Sequence, residues 1–156
     1  MSKPQFVYVT YIETTPEKLF QALTDSAFTK RYWFGTELRT DWKVGSPVEV
    51  VMNETVTDTG RILEFDPPKR ISYSFHHEAN EVLRKEKPSR ATFVLEPYGT
   101  LTKLTLIHDD FAPDSLTLGA ISKGWPAILA GLKSLLETGN ALSIPFEAMK
   151  IELPKE

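Results

Sequence analysis

The chain has 156 residues, 41% hydrophobic and 25% charged, which suits one soluble domain with its own core. A net charge of −3 offers no basic footprint for nucleic acid or an anionic membrane, and the absence of cysteine removes disulfides, thiol nucleophiles and Cys-based metal sites together. The N-terminus, MSKPQFVYVTYIETT, turns polar too early for a signal peptide, and no apolar run reaches transmembrane length, so a cytoplasmic domain is expected.

Phe6 to Ile12 (FVYVTYI) is dense in β-branched and aromatic residues and reads as a strand, with Phe6, Tyr8, Thr10 and Ile12 on one face and Val7, Val9 and Tyr11 on the other. Thr15, Pro16 and Glu17 then supply an N-cap, a first-turn proline and an acidic residue at the positive end of a helix dipole. A helix of about two turns over 16–24 follows, and Asp25-Ser26 caps a second short one carrying Phe28 and Tyr32 up to Trp33-Phe34-Gly35. The middle is punctuated β structure. DWKVG (41–45) leads into a strand over 47–52; Val56 to Phe65 holds another; Asp66-Pro67-Pro68-Lys69 is a turn. Ile71, Tyr73 and Phe75 alternate with Ser72, Ser74 and His76, and residues 78–89 read as a polar hairpin loop. Two more alternating stretches, around Phe93 and Leu106, flank the turn Pro97-Tyr98-Gly99-Thr100 and must pair antiparallel.

Ile121, Trp125, Ile128, Leu129, Leu132, Leu135 and Leu136 recur at the 3.6-residue period of a one-faced helix that stops at Gly139. Pro126 lacks an N–H and crowds the carbonyl of residue 122, so the helix either begins near Gly124–Trp125 or runs back towards Ser115 with a bend. Gly131, in mid-helix, predicts close packing at that point. Residues 141–156 read as a tail with a short helical turn around 145–149. The order of elements gives an α+β fold in which one antiparallel sheet covers the long helix.

Four motifs, ETTPEKLFQALTD (13–25), DPPKRISYSF (66–75), TFVLEPYGTLTKLTLIHDDF (92–111) and SKGWPAILAGLKSLLETG (122–139), resemble the heat-shock protein 90 ATPase activator homologue family in the same order. That family lies within the START-like (SRPBCC) superfamily, which also holds the birch-pollen allergen fold. The resemblance implies a helix-grip fold: a curved antiparallel sheet of six or seven strands around a long C-terminal helix, with two short helices after the first strand. It implies a START-like domain over 1–140 with the tail packed on or near it, and a link to chaperones and stress response. Eukaryotic co-chaperones of the family carry a separate N-terminal domain used in stimulating the chaperone ATPase; the expectation is that this chain lacks it. Superfamily members bind lipids, hormones, polyketides or aromatic molecules in a central cavity.

Among residues with chemistry to offer, His76-His77-Glu78 is the nearest to a metal pattern, but on a strand His76 and Glu78 share one face while His77 points to the other. A polar strand end is the plainer reading, and no metal or cofactor is expected. His108, followed by two aspartates, shares its face with Leu104 and Leu106 and should point inwards, either as a general base or as a hydrogen-bonded core histidine; the second is the commoner case. No G-x-S-x-G, G-x-G-x-x-G or P-loop motif occurs, and no catalytic residue is assigned. The aromatic residues are the stronger signal. Trp33, Met52, Tyr73, Phe75, Phe93, Leu106, His108, Trp125 and Leu129 form the candidate ligand-binding set, with a solid core as the alternative. The expected function is binding of a small hydrophobic or aromatic molecule between sheet and helix. A chaperone-associated or homodimerising module is the alternative, motivated by Val7, Val9 and Tyr11 on the outer face of the first strand.

Overall fold

The computed structural model describes residues 3–145. Seven strands, β1 (Phe6–Ile12), β2 (Thr36–Arg39), β3 (Pro47–Met52), β4 (Thr55–Asp66), β5 (Arg70–His77), β6 (Ser89–Tyr98) and β7 (Leu101–Asp109), form one antiparallel sheet in the order β1-β7-β6-β5-β4-β3-β2. Helices α1 (Pro16–Thr24) and α2 (Ser26–Tyr32) follow β1, and the long α3 (Leu116–Thr138) follows β7. The sheet is curved and closes on α3 with one face, giving the α+β helix-grip arrangement.

The local reasons are those legible in the chain. The Thr15 side chain accepts from the Lys18 amide at the head of α1, and Asp25 does the same for Ala27 at the head of α2. β1 alternates as its residue types demand, with Ile12 fully buried and Val7, Val9 and Tyr11 exposed. β4 carries a register shift against β5 between Ile62 and Glu64, and bulges of this kind bend a strand. Gly60 is needed just before it, because an added Cβ would lie 1.8 Å from the carbonyl oxygen of Ser74 on β5. The core runs from Leu19, Phe20 and Leu23 of α1 through Ile62, Ile71, Phe93, Leu104 and Leu106 to Leu129, Leu132 and Leu135 of α3.

Several expectations need correction. The four-residue strand β2 was not apparent from TELR, whose buried members Thr36 and Leu38 are too few to set a period. Residues 78–88 are not a plain polar loop. A short 3₁₀ turn, Leu83–Lys85, buries Leu83, and the carboxylate of Glu86 accepts from Ser115 Oγ at 2.6 Å and from the Leu116 amide at 2.8 Å. Burial pushes the Glu86 carboxyl up, yet these bonds and those from Thr117 hold it below its ordinary value. That loop thereby tethers the start of α3. Of the two starts open to the long helix, the earlier is realised: Ser115 is the N-cap, and Pro126 lies inside the helix. The packing expected at Gly131 is present, since an added Cβ would sit 3.3 Å from the carbonyl oxygen of Tyr32. The helical turn expected around 145–149 lies outside the described residues.

Candidate functional site

Where α3 passes over β5, an apolar cavity of about 320 Å³ opens beneath it. Ala120, Ile121, Gly124, Trp125 and Ile128 form the helix wall, Phe75 and His77 of β5 and His108 of β7 form the floor, and Thr57, Asp58 and Met52 close the β3–β4 side. Trp33, which caps α2, and the loop residues Ala79 and Asn80 complete the lining. Gly124 matters here because nothing lies within 4 Å of where its Cβ would be: the helix backbone itself forms that stretch of wall.

Trp125 is the hub of the aromatic lining. Its ring lies 5.3 Å from Trp33, and it meets Phe75 and Phe93 edge-on at 6.0 and 5.6 Å. Its Nε1–H donates to Nδ1 of His108 at 2.9 Å, and His108 Nε2 lies 2.7 Å from Ser89 Oγ. An indole nitrogen can only donate, so Nδ1 is the acceptor, and the single proton of neutral His108 rests on Nε2 and is shared with Ser89. Burial pushes His108 down to about 3, which agrees with an imidazole held neutral. Phe111 stacks on the same ring at 5.0 Å. Both nitrogens of His108 are thus committed, and Asp109 turns away to pair with Arg90 at 2.8 Å. His108 anchors Trp125; it has no free nitrogen with which to act as a base.

Five members of the predicted set, Trp33, Met52, Phe75, His108 and Trp125, are brought together on the cavity. Tyr73, Phe93, Leu106 and Leu129 are not on it: all four lie in the packed core behind the lining, at most 2% exposed. A polar pair on the wall, His77 and Asp58, lies outside the predicted set. His77 and Asp58 are cross-strand partners in the β4–β5 register, and His77 Nδ1 lies close against Asp58 Oδ1. Thr57 Oγ1 donates to the other carboxylate oxygen at 2.9 Å. The signal was present, because the inward period of Tyr73 and Phe75 continues to His77. His76 takes the opposite face, where Glu78 binds its Nδ1 and raises its pKa. Among the described residues no group of three or more His, Asp or Glu is placed to hold a metal ion. Glu64 of β4 pairs with Arg70 at 2.8 Å on the wet side.

A curved antiparallel sheet gripping a long C-terminal helix over an apolar cavity defines the START-like class of helix-grip proteins. Within it, the family model described as "Activator of Hsp90 ATPase homolog 1-like protein" matches residues 13–137, and the chain belongs to that family. A comparison with curated proteins finds no match. Among solved structures, a protein of Mesorhizobium loti is 25% identical with a TM-score of 0.73, over 85% of this chain and 96% of that one. The Aha1 dimer of Colwellia psychrerythraea is similar at 21% identity and a TM-score of 0.70, over 87% and 98% of the two chains. An Hsp90 activator from Plasmodium falciparum is similar at 23% and 0.69, over 85% and 95%. The last two likenesses speak for the fold. Among the described residues no helix is long and apolar enough to cross a membrane.

Proposed function

We propose that this chain binds a small hydrophobic molecule with an aromatic portion in the cavity beneath the first half of α3. The observation that carries the reading is the lining: Trp33, Phe75, Trp125, Ile121 and Ile128 around a space of about 320 Å³, with few polar groups. Small-molecule sites have this make-up, an apolar concavity in which a few polar atoms fix orientation. The test is titration of the ¹⁵N-labelled protein with a library of lipids and aromatic compounds, alongside thermal shift. A binder is expected to move the Trp125 indole and Phe75 signals and to raise the melting temperature. Gly124→Leu, which projects a side chain from the open wall, is expected to abolish both effects while leaving the fold intact. A library that moves no cavity signal ends the proposal.

A second reading is favoured by a separate observation, the apolar outer face of the edge strand β1. Val7, Val9 and Tyr11 are 49%, 45% and 39% exposed, and the exposed Tyr98 packs its ring 5.1 Å from that of Tyr11. Such a stripe on a strand that lies at the sheet's edge among the described residues suits a protein partner. We infer that the partner is a second copy of this chain, in keeping with the dimer of the Colwellia psychrerythraea relative. An Hsp90-type chaperone, which the Plasmodium falciparum relative activates, is the competing occupant.

A further inference from the structure

The cavity is apolar except at one corner, and that corner has a definite chemistry. On a residue that lines the cavity, His77 Nε2 is buried and has no hydrogen-bonding partner among the described residues. Beside it Asp58 Oδ1 is equally buried; its close contact with His77 Nδ1 is not aligned as a hydrogen bond. Asp58 is 8% exposed, and its second oxygen is already held by Thr57. In the tautomer with its proton on Nδ1, toward the carboxylate, His77 presents Nε2 as a bare acceptor. Asp58 offers a further acceptor. Buried acceptors without donors are costly, and a partner that supplies a donor relieves them.

The remaining groups narrow the choice. His108 has nothing to give, because Trp125 and Ser89 occupy both of its nitrogens. An anionic ligand would bring its charge against Asp58, whereas a hydroxyl brings a proton to where one is lacking. From the side-chain corner of Asp58 and His77, facing an aromatic wall of Trp33, Phe75 and Trp125, we propose that the site selects an aromatic alcohol. In that pose the hydroxyl donates to His77 Nε2 and the ring lies among the aromatic side chains. This rests on the cavity being a ligand site and names the chemical class that it takes.

Three matched probes separate the two claims: naphthol, its methyl ether, and naphthoate. Naphthol is expected to bind about three- to tenfold tighter than the ether, the worth of one neutral hydrogen bond, and naphthoate weakest. In His77→Phe the ether should still bind, and the preference for naphthol should vanish. Equal binding of naphthol and ether, tightest binding by naphthoate, or a preference that survives His77→Phe overturns the assignment while leaving the cavity reading intact; no binding by any probe overturns both. Imidazole ¹⁵N shifts need no variant. His77 should show an unprotonated Nε2 that moves with naphthol and not with the ether, and His108 the opposite tautomer. A doubly protonated His77 at neutral pH, or an Nε2 indifferent to naphthol, rejects the proposal.

Discussion

Protonating His108 inside the folded protein would place a second proton on Nδ1, where the Trp125 indole already donates, and would leave a charge in a packed core. Burial is the main cause of its depressed pKa, the neighbouring His77 adds to it, and Asp109 opposes both. An unfolded chain takes up this proton below its ordinary value of 6.5, while the folded chain resists until about 3. The stability that depends on neutral His108 is therefore complete above pH 6.5 and is lost as the pH falls towards 3. The limiting slope is about 1.4 kcal/mol per pH unit. His76 works in the other direction. The Glu78 hydrogen bond raises its pKa, so its contribution is complete below 6.5 and lost as pH rises through the folded value. Urea unfolding at a series of pH values should show stability declining between about pH 6.5 and 4.5, above the carboxylate range. His108→Gln offers an amide oxygen to Trp125 and an amide proton to Ser89 and does not titrate. Its profile should be flat over that interval, and equal slopes in the two proteins would refute the assignment.

Along α3 two glycines sit in opposite surroundings, and they make a matched test. Glycine in a helix costs about 1 kcal/mol relative to alanine when nothing else intervenes. At Gly124 nothing does, so Gly124→Ala should stabilise by about 0.5–1 kcal/mol. At Gly131 the added methyl would meet the Tyr32 carbonyl oxygen at 3.3 Å and its Cβ at 3.5 Å. Tyr32 has little room to retreat, because its hydroxyl is bonded to the Ala22 carbonyl at 2.9 Å and α2 is short. Gly131→Ala should therefore lose stability, by roughly 1 kcal/mol. Chemical denaturation of the two variants measures both signs, and a gain at Gly131 would mean that α2 yields. The pattern of what could be read beforehand follows the same logic. α3, β1, β5, β6 and β7 announce themselves because each repeats a period over seven residues or more. β2 has four residues and no such signal; its place comes from pairing with β3. The aromatic wall was legible in type, but not which rings line a cavity and which fill the core behind it. That division is set by where α3 stands off the sheet. Asp58 lies within the strand read over 56–65, and only the β4–β5 register reveals that His77 lies across from it.

At the scale of the molecule the sheet has two faces, one toward α3 and one outward, and the outer face of β1 can be tested without disturbing the inner one. Val7 is opposite Ile107 on β7, Val9 opposite Thr105, and Thr105 in turn opposite Val94 on β6. These neighbours widen the β1 stripe as far as Val94; opposite Tyr11 it meets Lys103, which faces Glu96 on β6. Edge strands are ordinarily kept from pairing by charge, lysine above all. On β1 the outward positions are Val7, Val9 and Tyr11, none of them charged. Sedimentation or light scattering over a range of concentrations should therefore find a two-chain mass at the upper end. Val9→Lys, in the middle of the stripe, should return it to a single chain. Because successive residues of a strand point to opposite faces, Val9 cannot reach the cavity, and the substitution should leave melting of the monomer and the naphthol titration unchanged. A single-chain mass at every concentration would dismiss the interface. A two-chain mass that Val9→Lys leaves intact would place the contact on another surface, while a loss of dimer together with cavity binding would show that the two faces are coupled through β7, which carries His108 on one side and Ile107 on the other.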